Sequence, residues 1–301
     1  MQTDISTNDT SVSVVIPTYN RAHTITRALE SVLGQTHRPT EIIVVDDGSS
    51  DNTLQILSKF KDVTVLSQKN QGVSAARNTG ISHSSSTWIA LLDSDDEWLP
   101  EKLQSQLALL TQNPESRICH CDEIWIRNGR RINPANKHKK SGGWIYPDCL
   151  PLCAISPSAV MIHRDVFEKI GMFDTNLPAC EDYDMWLRIC SRWPVSFIDR
   201  HLLKKYGGHD DQLSKRYAAM DRFRITALQK ILRSKKLSHK HYQLTLTILQ
   251  TKLVIYLNGL YKRGRRSEAN EVLKKVSDLV PPAHLHTQLS LREPTNGQTA
   301  V

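Results

Sequence analysis

The sequence has little of what marks several large classes of protein. Its 301 residues include only 13 glycines and 13 prolines, which excludes collagen-like and low-complexity chains. Its apolar runs all stop short of the roughly 18–20 residues that a transmembrane helix needs. The amino terminus lacks the basic and apolar regions of a signal peptide, so we expect a cytoplasmic protein.

Six cysteines, at positions 119, 121, 149, 153, 180 and 190, all lie in the middle third of the chain. In a cytoplasmic protein we expect them to be reduced thiols. Their spacing does not match the paired C-x-x-C motifs of zinc sites, so small buried side chains are the first interpretation. The alternative is a zinc site built from Cys119, His120, Cys121, Cys149 and Cys153.

Charge is distributed unevenly along a chain whose net charge is +8. Residues 201–280 contain 18 Lys and Arg against 6 Asp and Glu, whereas the rest contains 21 against 25. Such asymmetry is typical of a protein with an anionic partner. We expect peripheral contact with an anionic membrane surface through 201–280, with a solvated helix face as the alternative. Nucleic acid is not expected as a partner, because the sequence has no aromatic-interleaved motif of a known RNA-binding module.

Short apolar runs alternate with helical patterns through the first hundred residues. Strands are predicted where aliphatic runs stop at turn residues, at 13–16, 41–45, 63–66 and 88–92. Helices are predicted between them, the first capped by Asn20 and closed at Gly34, the others at 52–60 and 72–81. This order predicts an α/β fold with a mostly parallel sheet, whose ligands bind beyond the carboxyl ends of the strands.

The first predicted strand is followed by Pro17-Thr18-Tyr19-Asn20-Arg21, which contains no glycine. An NAD-type oxidoreductase needs a G-x-G-x-x-G sequence at this position, so that class is excluded. The P-loop sequence G-x-x-x-x-G-K-[ST] is absent as well, which excludes the P-loop enzymes. The alternating pattern therefore indicates a different ligand chemistry at these strand ends.

Three carboxylates crowd into four residues directly after the fourth predicted strand, at Asp93, Asp95 and Asp96. Like charges this close repel each other unless a cation lies among them. Hard divalent cations take oxygen ligands, and Mg²⁺ typically uses one or two carboxylates together with substrate phosphates. Capping of the helix near Pro100 is the alternative, but a cap explains one acid rather than three.

These acids belong to a series of motifs, in chain order Val14-Val15-Ile16-Pro17-Thr18-Tyr19-Asn20-Arg21, Ile43-Val44-Val45-Asp46-Asp47-Gly48-Ser49-Ser50-Asp51, Gly72-x-x-x-Ala76-Arg77-Asn78-x-Gly80 and Leu92-Asp93-Ser94-Asp95-Asp96. The series resembles the family 2 glycosyltransferases, over residues 11–215. The resemblance implies the GT-A fold, with a Rossmann-like, mostly parallel sheet flanked by helices. It also implies inverting transfer of a sugar from a nucleotide-diphospho-sugar, with a UDP-sugar expected, assisted by a divalent cation, Mn²⁺ or Mg²⁺.

The resemblance also implies a donor site with residues from every motif. The nucleotide-sugar would contact Pro17, Thr18, Tyr19, Arg21, Asp47, Arg77, Asp93 and Ser94. Asp47 matches the acid that accepts the N–H of a uracil ring, and an Asx turn with Gly48 is the alternative. A surface helix face is the alternative for Arg77. The divalent cation would be held by Asp95, Asp96 and His209. A donor-side role is the alternative for Asp96, and contact with the diphosphate or an exposed loop position is the alternative for His209.

A second acidic segment, Cys180-Glu181-Asp182-Tyr183-Asp184, matches the family's catalytic segment. Direct displacement at an anomeric carbon needs an acceptor hydroxyl that loses its proton, and a carboxylate within hydrogen-bond reach can take it. The resemblance assigns this base to Asp182 and places Glu181 beside it to orient the acceptor or the base. Helix capping is the alternative for Asp182. Lys204 and Lys205 either assist the departing diphosphate or lie in solvent.

Beyond residue 215 helical periodicity continues, at 216–235, 238–263 and 267–279. We therefore predict a flexible amino terminus at 1–10, a GT-A domain at 11–215 with a nucleotide-binding half (11–110) and an acceptor-binding half (111–215), a basic all-helical extension at 216–284 and a disordered tail at 285–301. We expect a glycan or lipid-linked acceptor in cell-envelope polysaccharide or glycolipid biosynthesis. A non-catalytic nucleotide-sugar-binding or scaffolding protein on the same fold is the alternative, and retaining chemistry is a further rival.

Overall fold

A computed structural model describes residues 10–208, 217 and 219–281 of the chain. The chain consists of two compact units, with the boundary between residues 218 and 219. The described part of the first unit contains a nine-stranded sheet. The described part of the second unit is helical.

The amino-terminal part of the first unit is a parallel βα array, called here the parallel half (residues 12–91). Its strands β1–β4 cover Val12–Thr18, Glu41–Asp46, Thr64–Ser67 and Trp88–Leu91. Helices α1–α3 alternate with them and cover Ile25–Leu33, Thr53–Leu57 and Val73–His83. The strands pair in parallel in the order β3-β2-β1-β4. The four predicted strands are confirmed, and their carboxyl ends meet at one edge.

Helix α3 lies close against the sheet because it carries a glycine where it passes β1. A Cβ added at Gly80 would lie 2.4 Å from Cγ1 of Val15 and 3.2 Å from Cγ2 of Val45. Non-bonded carbon atoms pack at about 3.5–4.0 Å, so no larger residue fits here without movement. This close packing accompanies the burial of Arg77 on the same helix, which is only 3% exposed. The surface-face interpretation of Arg77 is therefore wrong.

The rest of the first unit, called the mixed half (residues 97–207), extends the sheet with strands of both directions. Strands β5–β9 cover Glu97–Trp98, Ile118–Arg127, Arg130–Ile132, Met161–His163 and Ser196–Gly207. Helices α4–α7 cover Lys102–Gln112, Tyr146–Cys149, Arg164–Ile170 and Glu181–Cys190. The order continues as β4-β8-β6-β9-β5, with β7 paired to β6. We predicted a mostly parallel sheet, and the mixed half combines the parallel pair β6 and β9 with β8, which is antiparallel to both its neighbours.

The main core lies between one face of the sheet and helices α1 and α4. Alternate residues of a strand point to the same face, and Val12, Val14 and Ile16 of β1 form the centre of this cluster. From α4, the buried leucines of the cluster are Leu103, Leu107 and Leu110. Each such side chain contributes about 1.5–3 kcal/mol on burial. The core thereby fixes the strand ends that position the acidic loops.

The described residues of the second unit, 219–281, form three helices, α8 to α10, at Asp221–Arg233, His239–Lys262 and Arg266–Val276. Helical periodicity predicted each of them, with bounds within a few residues. Ser238 caps α9, since its hydroxyl accepts the His241 N–H at 3.2 Å. Within the described residues, no helix combines the length and the apolar character that crossing a membrane requires.

Candidate active site

The predicted donor-site loops meet where β1, β2 and β4 end. Thr18, the last residue of β1, pairs in register with Asp46 at the end of β2. The Thr18 hydroxyl and Oδ1 of Asp46 are buried without a hydrogen-bond partner among the residues described. Pro17 is buried in β1, whereas Tyr19 just beyond the strand is 44% exposed. These strand ends therefore present buried polar atoms and an exposed ring to a ligand.

Asn20 and Arg21 shape the loop after β1 through backbone contacts. The prediction that Asn20 caps α1 is wrong. The N-cap is Thr24, and Asn20 lies in the left-handed region with φ 51°. Its side-chain oxygen instead accepts the Ser50 N–H at 2.8 Å. The Arg21 guanidinium donates to the Asn20 carbonyl at 3.2 Å. This loop is thus tied to the turn after β2.

Asp47 is buried and holds the start of α3 against the end of β2. Its Oδ1 accepts the Gln71 N–H at 2.9 Å and the Gln68 amide at 2.7 Å, and its Oδ2 accepts the Gly72 N–H at 2.8 Å. The hydrogen bond within the turn after β2 is made by Asp46, whose Oδ2 accepts the Ser49 N–H at 3.1 Å. Both oxygens of Asp47 accept from residues 68–72 rather than from the turn with Gly48, so the Asx-turn alternative is wrong, and contact with a uracil ring stays a prediction.

Arg77 joins the acids after β4 to the start of α7. Its Nη2 lies 2.7 Å from Asp93 Oδ1 and its Nη1 lies 2.7 Å from Glu181 Oε1. Burial disfavours the charged guanidinium, but the carboxylates of Asp93 and Glu181 outweigh it and raise the pKa of Arg77. Burial and the nearby charge of Asp182 raise the pKa of Glu181. One buried cation thus holds two acids from distant parts of the sequence.

Asp96 is almost fully buried, and both of its oxygens accept hydrogen bonds from the chain. The Ser158 hydroxyl donates to Oδ2 at 2.6 Å, and the Tyr206 N–H donates to Oδ1 at 2.9 Å. The pKa of Asp96 is well above its usual value because of burial and the charges of Asp95 and Asp93. Helix α4 has Glu101 as its N-cap, so the capping alternative is wrong for Asp96. The two hydrogen bonds fix the carboxyl group of Asp96 in the site, and the metal-ligand roles of Asp95 and Asp96 stay predictions.

Asp95 is half-buried in the turn after β4, beside the buried Ser94. Arg27 of α1 fixes this turn, since its guanidinium donates to the Asp95 carbonyl at 2.6 Å and stacks on the Tyr206 ring at 3.7 Å. Carboxylate oxygens are hard ligands of the kind that Mn²⁺ and Mg²⁺ accept, so Asp95 could provide one ligand of such a cation.

Within the ranges that the structure describes, no three His, Cys, Asp or Glu side chains are grouped to hold a metal ion. A divalent cation would therefore depend on ligands beyond these acids, and substrate phosphates commonly provide them. His209, which we predicted as a ligand, lies outside the described residues. The zinc alternative is not supported in the mixed half, where the described cysteines are free thiols and Cys119, Cys121 and Cys149 are buried.

Asp182 lies half-buried in the first turn of α7, and a thiol holds its carboxylate. Cys153 Sγ donates to Asp182 Oδ2 at 3.0 Å, while the Tyr183 N–H donates to Oδ1 at 2.7 Å. Burial and the charge of Asp182 raise the pKa of the Cys153 thiol well above its usual value, so the thiol keeps its proton. The N-cap of α7 is Cys180, in the left-handed region with φ 62°, so the cap interpretation of Asp182 is wrong.

The two lysines of β9 have different environments because successive strand residues point to opposite faces. Lys204 pairs with Glu97 at 2.7 Å. Lys205 donates to the Ser156 hydroxyl at 2.9 Å. Burial lowers the pKa of Lys205, but the charges of Glu123 and Asp96 outweigh this effect and raise it. Lys205 is therefore a half-buried cation of the site rather than a solvated surface residue.

Sequence reasoning missed the roles of Cys153, Ser158 and Glu123. Ser158 links the acids after β4, because it accepts the Asp93 N–H at 3.0 Å and donates to Asp96. Glu123 is buried and accepts from the Ser156 hydroxyl at 3.0 Å. In the sequence, the two serines are marked only by their position in Ser156-Pro157-Ser158, within an otherwise apolar run. No sequence pattern indicates the roles of Cys153 and Glu123.

Comparisons with known proteins agree with this architecture. The family model described as glycosyl transferase family 2 matches residues 13–171. An uncharacterized glycosyltransferase of Rickettsia felis is 34% identical over 207 residues, which are 65% of this chain and 33% of that protein. The chain thus spans about a third of the length of this relative.

Two further proteins extend the comparison. The Escherichia coli protein named UDP-Glc:alpha-D-GlcNAc-diphosphoundecaprenol beta-1,3-glucosyltransferase WfgD is 33% identical over 195 residues, 64% of this chain and 74% of that protein. The crystal structure of S. aureus TarS 1-349 in complex with UDP-GlcNAc matches with a TM-score of 0.71 at 21% identity, covering 91% of this chain and 83% of that chain. The structural match confirms the predicted GT-A fold class with a C-terminal helical extension. By its family model and its relatives, the chain belongs to glycosyl transferase family 2.

Proposed function

We propose that the protein transfers a sugar, with inversion, from a UDP-sugar to a hydroxyl group of a lipid-linked glycan. The proposal rests on the two ion pairs of Arg77. One joins Arg77 to Asp93 after β4, and the other joins it to Glu181, the neighbour of Asp182. A single guanidinium spans the two acids, so a sugar bound at Asp93 would have its reacting carbon near Asp182. Donor-side acids and the proposed base then form one site.

In the proposed reaction the acceptor hydroxyl oxygen attacks the anomeric carbon of the donor. The bond from that carbon to the diphosphate oxygen breaks as the new bond forms, which inverts the configuration. Asp182 takes the hydroxyl proton, and the nucleoside diphosphate leaves with the electron pair. The thiol of Cys153 and the Tyr183 N–H orient the carboxylate of Asp182, which retains lone pairs for the proton.

The proposed donor site uses the chain's own residues on both sides of the diphosphate. Asp47 would accept the uracil N–H, and Pro17, Thr18, Tyr19 and Arg21 would line the nucleotide. A bound Mn²⁺ or Mg²⁺, held through Asp95, would stabilise charge on the leaving diphosphate. A UDP donor is supported by the names of relatives, one with a UDP-Glc donor and one structure with bound UDP-GlcNAc.

The acceptor class is proposed by analogy with the relative whose name specifies a diphosphoundecaprenol-linked GlcNAc. Such an acceptor is anchored in a membrane, so the enzyme would act at the membrane surface on the cytoplasmic side. We therefore propose a role in the assembly of a cell-envelope glycan.

Thermal unfolding with nucleotides, with and without Mn²⁺, tests this function. A ligand at about 100 times its Kd stabilises the folded state by about 2.7 kcal/mol, which raises Tm by roughly 5–10 °C for a protein of this size. We expect such a shift with UDP and a UDP-sugar, enlarged by Mn²⁺. In Asp95→Asn the Mn²⁺ enhancement should disappear, whereas the exposed control Asp199→Asn should retain it. A folded protein whose Tm responds to none of the nucleotides would contradict the proposal.

A further inference from the structure

We propose that residues 127–144, called the basic strip, are a docking surface for the headgroups of anionic phospholipids. The strip contains no Asp or Glu and six cations, at Arg127, Arg130, Arg131, Lys137, Lys139 and Lys140. The proposal extends the proposed function, since a lipid-linked acceptor lies in such a membrane. Its argument rests on the strip's own charge and packing, and its test needs no transfer activity.

Contacts along β6 determine which side of the strip faces outward. The His138 ring packs on Trp125 at 5.1 Å, Lys140 Nζ lies 2.9 Å from the Glu123 carboxylate, and His120 Nε2 donates to the Ser141 carbonyl at 2.8 Å. Lys137 and Lys139, on either side of His138, are exposed. The strip thus lies along β6 with one set of side chains turned to the sheet and the alternate lysines turned to solvent.

Among the described residues, no carboxylate pairs with the outward cations of the strip. Arg127, Arg130, Arg131, Lys137 and Lys139 are exposed, and none forms an ion pair with a carboxylate in the part of the chain that the structure describes. Lys140 alone is paired, with the buried Glu123. A dense set of unpaired cations on one surface attracts an anionic layer, and lipid headgroups provide such a layer.

The second unit, where the sequence predicted a membrane contact, is less suited to this role. Residues 219–281 hold 14 Lys and Arg with 4 Asp and Glu, spread over 63 residues, against six cations in the 14 residues from 127 to 140. Part of that charge is neutralised, since Asp221 pairs with Arg224 and Lys252, and Asp278 pairs with Arg233. The density of free cations therefore favours the strip.

Trp144 gives the strip an apolar anchor. Its side chain is 62% exposed, the largest value among the exposed large hydrophobic residues of the described chain. The backbone before it is fixed, because Gly143 exchanges hydrogen bonds of 2.7 and 2.9 Å with Val195. An exposed indole next to cations is typical of a membrane interface, where tryptophan is enriched. A single indole offers no row of rings for stacked bases, so lipid fits better than nucleic acid.

Co-sedimentation of the full chain with vesicles tests the proposal, without any nucleotide-sugar present. Vesicles of phosphatidylglycerol mixed with phosphatidylcholine are compared with vesicles of phosphatidylcholine alone. The strip variant Lys137→Gln/Lys139→Gln is matched by Lys236→Gln/Lys240→Gln, which removes two exposed lysines from the second unit. Arg130→Gln/Arg131→Gln is a second strip variant, and thermal melts confirm that each variant is folded.

We expect the wild type to bind only the anionic vesicles. Removal of two cations at such a surface weakens partition about 30-fold, about fivefold per charge, so both strip variants should show this loss and the matched control less than about threefold. Trp144→Ser should reduce the binding that remains at high salt, because an apolar contribution is not screened. Equal loss in the strip variants and the control, equal binding to neutral vesicles, or tighter binding to a DNA duplex would overturn the proposal.

Because vesicle binding is measured without donor or acceptor, its outcome is separate from that of the proposed function. A chain that responds to UDP-sugars in thermal unfolding but ignores anionic vesicles would lose the docking surface and keep the donor site. The converse result would retain the docking surface and remove the donor site.

Discussion

The parallel and mixed halves of the first unit stabilise their buried charges in different ways. In the parallel half, the buried carboxylate of Asp47 is held mainly by backbone N–H groups of Gln71 and Gly72. In the mixed half, burial alone would raise the pKa of Glu123, but the cations Lys140 and Lys205 lower it to about 2. Asp47 is therefore stabilised mainly by dipoles and Glu123 mainly by ion pairs.

Because of this difference, the parallel and mixed halves bring different charges to the candidate active site. The backbone N–H groups at Asp47 bring no cation to the site, whereas the mixed half brings half-buried cations such as Lys205 to its side. Arg77 is the exception, because it is a cation of the parallel half that pairs with Glu181 in the mixed half. The comparison therefore makes Arg77 the most sensitive point of the site.

Substitution of Arg77 by Met should have the largest effect. It leaves Glu181 buried without its cation, and the removal of one partner from a buried ion pair costs about 3–5 kcal/mol. Urea unfolding measures this loss, with Arg38→Met as the control, because Arg38 is exposed and should change stability by less than about 0.5 kcal/mol. A loss below about 1 kcal/mol for Arg77→Met would show that the two halves do not depend on this residue.

The parallel half was predictable because its information is local. Each of β1 to β4 contains a short aliphatic run, and β1 pairs with β2 and β2 with β3 across a single helix. The predicted boundaries of β2 differ from Glu41–Asp46 by one residue. The helices of the second unit were predictable for the same reason, since the period of their apolar residues is local.

The mixed half was less predictable because its pairings are distant. The two longest strands, β6 and β9, were not predicted, and their pairing joins Cys119 to Ser196. Acidic residues such as Asp122 and Glu123 interrupt the apolar pattern of β6, and the cations that stabilise Glu123 there come from distant segments. The role of Cys153 could not be predicted for the same reason, because it depends on a contact with Asp182, which lies 29 residues further along the chain.

His120 provides a test of intermediate size in the mixed half. Burial, with a contribution from Lys140, lowers the pKa of His120 from 6.5 to about 3. The folded state then keeps the ring neutral while the unfolded state takes up a proton, so stability falls as pH decreases from about 6.5 towards about 3. The loss attributable to this ring should approach 1.4 kcal/mol per pH unit, as about one proton is bound.

The free energy of unfolding of wild type and His120→Phe, measured across this pH range, isolates the effect. We expect the difference between the two proteins to shrink as pH falls, because only the wild type has this imidazole. His83→Phe, at an exposed position of α3, is the matched control from the parallel half. A difference that is constant with pH would mean that His120 is charged in the folded state.

Substitution of Cys153 should have the smallest effect, and it should change turnover rather than stability. Cys153→Ala removes one hydrogen bond to Asp182, which is worth about 1 kcal/mol and predicts about a fivefold lower kcat at unchanged KM. Cys153→Ser should recover most of the rate, since its hydroxyl donates to the same oxygen. Similar losses in both variants would assign the residue a packing role instead.

The central claim of this account is that Asp182 takes the proton of the acceptor in a site whose donor half is independent of it. Titration calorimetry of a UDP-sugar with Mn²⁺, together with turnover, for Asp182→Asn and the control Asp199→Asn measures both properties. General-base catalysis contributes about 10²–10⁴-fold, so Asp182→Asn should lose this factor in kcat while its donor Kd stays near that of the wild type. Near-normal turnover in Asp182→Asn, with the protein folded and the donor bound, would contradict the account.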